Sequence, residues 1–134
     1  MKSYHHGNLK QELIDCASKM CERDGYTKLS IRSLAKESNV SQTAPYRHFK
    51  TKEDLYAEIA TEGFNKLHKT ISKNQSNDPE KNLTVGAKAY IQFGLGNANT
   101  YDLMFGTAVP DFTKYPLLLS LIHISEPTRR YAIS

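Results

Sequence analysis

The stretch Leu29–Phe49, LSIRSLAKESNVSQTAPYRHF, decides how the chain reads. Ser30 opens a short helix whose apolar side is Ile31, Leu34 and Ala35, and Ser38, Asn39 and Val40 break it. Ser41 then caps another helix. The few residues between the two match the spacing of a helix-turn-helix. Asn39 stands where such a turn needs a left-handed residue, a conformation that Asn tolerates. In the second helix, predicted over 41–48, Gln42, Thr43, Tyr46 and Arg47 share an arc of roughly 140°, with Pro45 and Phe49 on the other side. Pro45 lacks an N–H, so this helix is expected to begin irregularly.

Toward the N-terminus, Asn8 with Gln11 suggests a capped helix start, and Leu9, Leu13, Ala17, Met20 and Cys21 recur at helical spacing until Gly25. Toward the C-terminus, Thr51 and Asp54 resemble a capping box before a long helix carrying Leu55, Ile59, Ala60, Leu67 and Ile71 to about Lys73. The stretch KNQSNDPEKN, with Pro79, reads as a polar linker. Beyond it Leu83, Ala87, Tyr90, Ile91, Gly94 and Leu95 step at three and four, and Tyr101 to Phe105 forms a brief further helix. Pro110, Pro116 and Pro127 punctuate the remainder. No strand alternation and no internal repeat is visible, so the expected class is all-α.

A chain of 134 residues is one ordinary domain or two small ones, which argues against a multi-domain enzyme. Its mean hydropathy of -0.57 and 39% hydrophobic residues suit a soluble globular protein. The apolar run from Leu117 to Ile124 is far shorter than the roughly 20 residues that cross a bilayer. The opening MKSYHHGN lacks the apolar core of a secretory signal, so no membrane partner and a cytoplasmic location are expected. Cys16 and Cys21 diverge around one helix and read as packing thiols. Charge is uneven: residues 1–52 hold ten Lys or Arg against five Asp or Glu, and the remainder eight against nine. That asymmetry suggests a polyanion partner at one end, or simply a solvated basic face.

Arg and Gln on a short helix match the edges of guanine and adenine in a major groove, and Tyr, Thr and His suit phosphate oxygens. An ordinary amphipathic helix fits the same spacing. Lys52, at a helix start, could hold a phosphate, against the opposing charges of Glu53 and Asp54. None of the five His residues stands at metal-ligand spacing, and there is no phosphate loop or nucleophile elbow, so neither a metal nor a cofactor is expected. Tyr90, Phe93, Tyr101, Met104 and Phe105 could line an apolar ligand cavity, or form core. Two other classes stay open at this level: a small helical enzyme using His48 or His68, and a helical protein-interaction module.

Taken together, YHHGNLKQELIDCA, the Gly25 stop, LSIRSLAKESNVSQTAPYRHFKTKEDLYAEIA and AYIQFGLGNANTYDLMFG resemble the TetR family of transcriptional regulators, in the subgroup with a WHG-type C-terminal domain. The match covers about residues 4 to 118, and Tyr46-Arg47-His48-Phe49 followed by Lys50, Thr51 and Lys52 resembles the family's Tyr-x-His-Phe-x-x-Lys signature. The resemblance implies a non-enzymatic, ligand-responsive regulator, a repressor, that binds a double-stranded DNA operator as a homodimer and answers a small effector. By position it implies DNA contacts from Ser30, Arg32, Gln42, Thr43, Tyr46, Arg47, His48 and Lys52. Arg47 stands where many members carry Trp, Tyr or Arg, so its base preference does not transfer.

The implied organisation is a three-helix DNA-binding domain over residues 1–52, with its helix-turn-helix at about 30–49, and an incomplete helical ligand-binding and dimerisation domain over 53–119. The tail SLIHISEPTRRYAIS, residues 120–134, departs from the family and resembles the translation of a sequencing-library adapter, so a truncated chain with weakened dimerisation is expected.

Overall fold

The computed structural model describes residues 8–123. Helix α1 spans Leu9–Asp24 and buries Leu13, Ile14, Ala17, Met20 and Cys21, the face that the apolar spacing predicts. Gly25, at φ 87°, ends it and gives its N–H to the Cys21 carbonyl. Asn8 makes no side-chain cap, contrary to expectation. Gln11 instead bridges Asp15 on its own helix and Glu62, at 2.9 and 2.8 Å.

After a 3-10 turn at Tyr26–Lys28, helix α2 covers Ile31–Glu37. Its start is a reciprocal box: Ser33 N–H donates to Ser30 Oγ, and Ser33 Oγ accepts from Ser30 N–H. A forked pair ties α2 to the end of α1, with both terminal nitrogens of Arg23 on the Glu37 carboxylate at 2.9 Å.

Helix α3 runs Lys52–Lys73 from the capping box that Thr51 and Asp54 predict. Helix α4 spans Pro79–Gly96. Pro79 therefore begins a helix rather than lying in a linker: Asp78 accepts the Glu80 N–H, and Pro at the first helical position loses no bond it could have made. Helix α5 covers Ala98–Phe105, opening three residues before the expected Tyr101. It has no side-chain cap of its own. Glu22 of α1 accepts both the Thr100 N–H and hydroxyl, at 3.1 and 2.9 Å, and Asn99 donates to the Glu22 carbonyl at 2.7 Å.

The core joins all of these elements. Phe49, Leu55, Ile59, Phe64 and Leu67 are fully buried along one side and meet Leu13 and Leu34 from the head and Tyr90, Leu103 and Met104 from α4 and α5. At Gly63 α5 lies close against α3, since a Cβ there would lie 2.5 Å from Met104 Sδ. Residues 116–123 are helical, with Leu118 and Leu121 buried and Leu117 exposed, so the apolar run Leu117 to Leu119 is only partly a surface feature. Of the tail expected to be non-native, residues 124–134 lie outside the described residues. Among the described residues no helix is long and apolar enough to cross a membrane. Cys16 and Cys21 are free thiols, and burial first, then Glu22 and Asp102, pushes the Cys21 thiol up to about 11.

Candidate nucleic-acid interface

The turn between α2 and the reading segment closes through a ladder at the end of α2. Ser38 and Val40 donate to the Leu34 and Ala35 carbonyls, at 2.9 and 3.0 Å, and Asn39 takes the left-handed conformation at φ 59°. It is the one non-glycine residue with positive φ among those described. An αL residue re-aims the chain within one position, and Asn stabilises it by local polar contacts.

The segment after the turn is not the regular helix predicted over 41–48. Residues 42–44 are turns, and Pro45–Arg47 is a single 3-10 turn. Ala44, Arg47 and His48 donate to the carbonyls three residues back, Ser41, Ala44 and Pro45, at 3.0 to 3.2 Å. Only Phe49 reaches four back, to Pro45 at 2.9 Å. The cause is local. With no N–H at Pro45, the four-residue bond to Ser41 cannot form, and that carbonyl accepts from Ala44 instead.

The two faces survive this change of winding. Ala44, Pro45 and Phe49 are buried, while Gln42, Thr43, Tyr46, Arg47 and His48 are exposed. Phe49 therefore anchors a turn whose polar groups all point outward. Arg32 stands exposed on α2, and Ser30, half-buried, uses its oxygen as an acceptor in the capping box, leaving its hydroxyl proton to donate. Lys52 is the first residue of α3, exposed, with Nζ 5.9 Å from the centre of the Tyr56 ring. That ring is held by its hydroxyl on the Tyr26 carbonyl at 2.8 Å. Among the described residues, Arg32, Arg47, Lys50 and Lys52 enter no ion pair. Lys50, which the sequence reading left out of the contacts, lies exposed among them; its place between Arg47 and Lys52 was the available signal.

The aromatic set beyond α3 lies apart from this surface. Tyr90 and Met104 are 1% and 2% exposed. Phe105 packs against Phe64, Tyr90 and Tyr101, with ring centres 5.1, 6.1 and 4.5 Å away. Phe93 borders a cavity of about 380 Å³, which also has Glu22, Glu62 and Lys66 in its wall.

His48 sits beside Phe49, ring centres 6.2 Å apart, in the reading segment itself. His68 lies on α3 against Phe64, and burial holds its imidazole below the usual histidine range. No set of three His, Cys, Asp or Glu that could hold a metal occurs among the described residues.

The start of α3 is also held from the far end of the chain. Tyr115 donates its hydroxyl to Asp54 at 2.8 Å. That bond, more than any other influence, keeps the Asp54 carboxyl below the ordinary range; burial, then Asp54, raises the Tyr115 phenol.

Residues 13–59 match the family described as bacterial regulatory proteins, tetR family. The chain is 24% identical over 97 residues to an HTH-type transcriptional regulator, YobS, of Bacillus subtilis, covering 72% of this chain and 51% of that one. It is 36% identical over 50 residues to the HTH-type transcriptional regulator AcrR of Shigella flexneri, covering 37% of this chain and 23% of that one. A protein with unknown function from Rhodococcus sp. RHA1 shares the fold with a TM-score of 0.73 at 27% identity, over 95% of this chain and 66% of that one. The chain thus spans about half, or less, of the curated relatives it matches. Residues 13–59 are thus similar to the N-terminal segment of the tetR family of bacterial regulatory proteins, and these curated relatives are described as HTH-type transcriptional regulators.

Proposed function

We propose that this chain is the DNA-reading part of a ligand-responsive repressor that works as a homodimer in its full-length form. The observation that carries the reading is the exposed row of Gln42, Thr43, Tyr46, Arg47 and His48, seated on buried Ala44, Pro45 and Phe49 and flanked by Arg32, Lys50 and Lys52, which enter no ion pair among the described residues. Flanking cations hold phosphates and fix register, while Gln and Arg on the row read base edges. Response to a small effector is the second half of the reading. With Tyr90 and Met104 in the core, a ligand would enter at a cavity rather than among the rings.

Selection of bound fragments from random duplex DNA, followed by titration of the enriched duplex over a salt series, tests it. Enrichment of one motif is expected, with log K falling linearly against log salt. Binding that is indifferent to salt, or no enrichment, would overturn the proposal.

A further inference from the structure

A second cavity, of about 470 Å³, lies directly behind the reading segment. His48 and Phe49 close one side, Ala57, Glu58 and Thr61 of α3 form the floor, and Lys114 to Leu118 close the other. Its charges are unevenly matched. Glu58 is paired with Lys10 at 2.9 Å, and Asp54 accepts the Tyr115 hydroxyl at 2.8 Å, so both carboxylates of the wall have partners. The Thr61 hydroxyl is committed to the Ala57 carbonyl at 2.7 Å. Lys114 is exposed and, among the described residues, enters no ion pair. The nearest acid on its own turn, Asp111, feels its charge but is engaged by Thr113 and lies outside the wall. What remains for a ligand is the apolar surface of Pro116 and Leu117, laid over buried Phe49 and Leu118, with unmatched cationic and imidazole groups, Lys114 and His48, at its rim.

We infer that this cavity binds a small molecule with an apolar body and a single carboxylate, the body against Pro116 and Leu117 and the carboxylate at Lys114. The inference deepens the effector reading above and rests on it, since it names the ligand class and a site that touches the DNA-reading segment itself. The cavity beneath Phe93 fits this class less well, because Asp15, Glu22 and Glu62 outnumber Lys19 and Lys66 in its wall and no residue of the reading segment reaches it.

Calorimetric titration of the whole chain with 4-phenylbutyrate, its neutral amide and 4-phenylbutylamine tests the site. The acid is expected to bind about tenfold more tightly than the amine, with the amide between them. Lys114→Ala should weaken the acid about threefold to fivefold and leave the amide unchanged, and Lys114→Arg should restore the acid. Lys114 is a surface residue, so these variants keep the fold. The inference is overturned if acid and amine bind equally, if none of the three binds at millimolar concentration, or if Lys114→Ala leaves the acid unaffected. The titration contains no DNA, so its result is independent of whether Arg47 and Gln42 read bases.

Discussion

Arg47 and Lys52 are both exposed cations, yet they differ in what carries them. Arg47 projects from a turn fixed by Phe49, which is fully buried, and a fixed fork can match one base edge. Lys52 is a flexible point charge at the N-terminus of α3, suited to a phosphate. Arg47→Ala should therefore cost about 1–3 kcal/mol on the enriched duplex and relax preference at one position. Lys52→Ala should weaken all duplexes alike and reduce the salt slope by about 1. Anisotropy titrations on enriched and scrambled duplexes separate the two, and equal losses from Arg47→Ala on both would make it a phosphate contact. Asn39 acts on the same surface through the left-handed conformation of its backbone. A β-branched residue cannot take its φ of 59° without strain, so Asn39→Val should lose about 1–2 kcal/mol in urea unfolding. Asn39→Gly should stay close to the parent.

Two contacts between elements show what packing demands. A methyl at position 63 would meet Met104 Sδ at 2.5 Å. Overpacking of this kind costs about 1–3 kcal/mol, more than the roughly 1 kcal/mol that Ala gains over Gly in a helix. Gly63→Ala should therefore lower the melting temperature, and an unchanged or raised value would mean that Met104 moves aside freely. The Tyr115–Asp54 contact gives a dependence on pH at both ends. The Asp54 carboxyl is held below its ordinary 3.8, so its contribution is present above that value and lost as pH falls below it. The Tyr115 phenol is raised above its ordinary 10.0, so its contribution is intact below pH 10 and is lost as pH rises beyond it. Tyr115→Phe should flatten the alkaline limb and soften the acid one in pH-dependent thermal unfolding; an unchanged alkaline limb would show that the bond contributes nothing.

These elements also show where the sequence was readable. The outward Gln42, Thr43, Tyr46 and Arg47 and the buried Pro45 and Phe49 follow from their places on opposite sides of a helical wheel, and they hold in either winding. The winding itself was not readable, because Pro45 announces a missing bond without saying how its neighbours rearrange. The box at Thr51 is spelled by Asp54 three residues on, whereas Tyr115 and Asp54 are joined only by the tertiary fold, 61 positions apart. The aromatic set was found by composition, but whether rings line space or fill it depends on neighbours such as Phe64, on another helix.

Among the described residues, exposed large apolar side chains are concentrated on α4. Leu83, Ile91 and Leu95 recur at multiples of four along it, and Leu95 is 81% exposed. Replacing surface residues that touch little changes stability by less than about 0.5 kcal/mol. Ile91→Lys with Leu95→Lys should thus leave urea unfolding and duplex binding as they were, while lowering light scattering at high protein concentration. A marked loss of stability would mean that this face is packed in solution.

The cap that Glu22 lends to α5 has a consequence for the order in which the chain folds. A helix of 8 residues is too short to hold itself together in water, and the acceptor that satisfies its first turn comes from a residue 78 positions earlier. Closing so long a loop is slow relative to forming the local contacts of α1 with α2, so the cap on α5 closes only after α1 is in place. It is then a late-forming element, and weakening its cap should mainly hasten unfolding while leaving the refolding rate nearly untouched. Helix α5 would thus be among the last elements to assemble and the first to open.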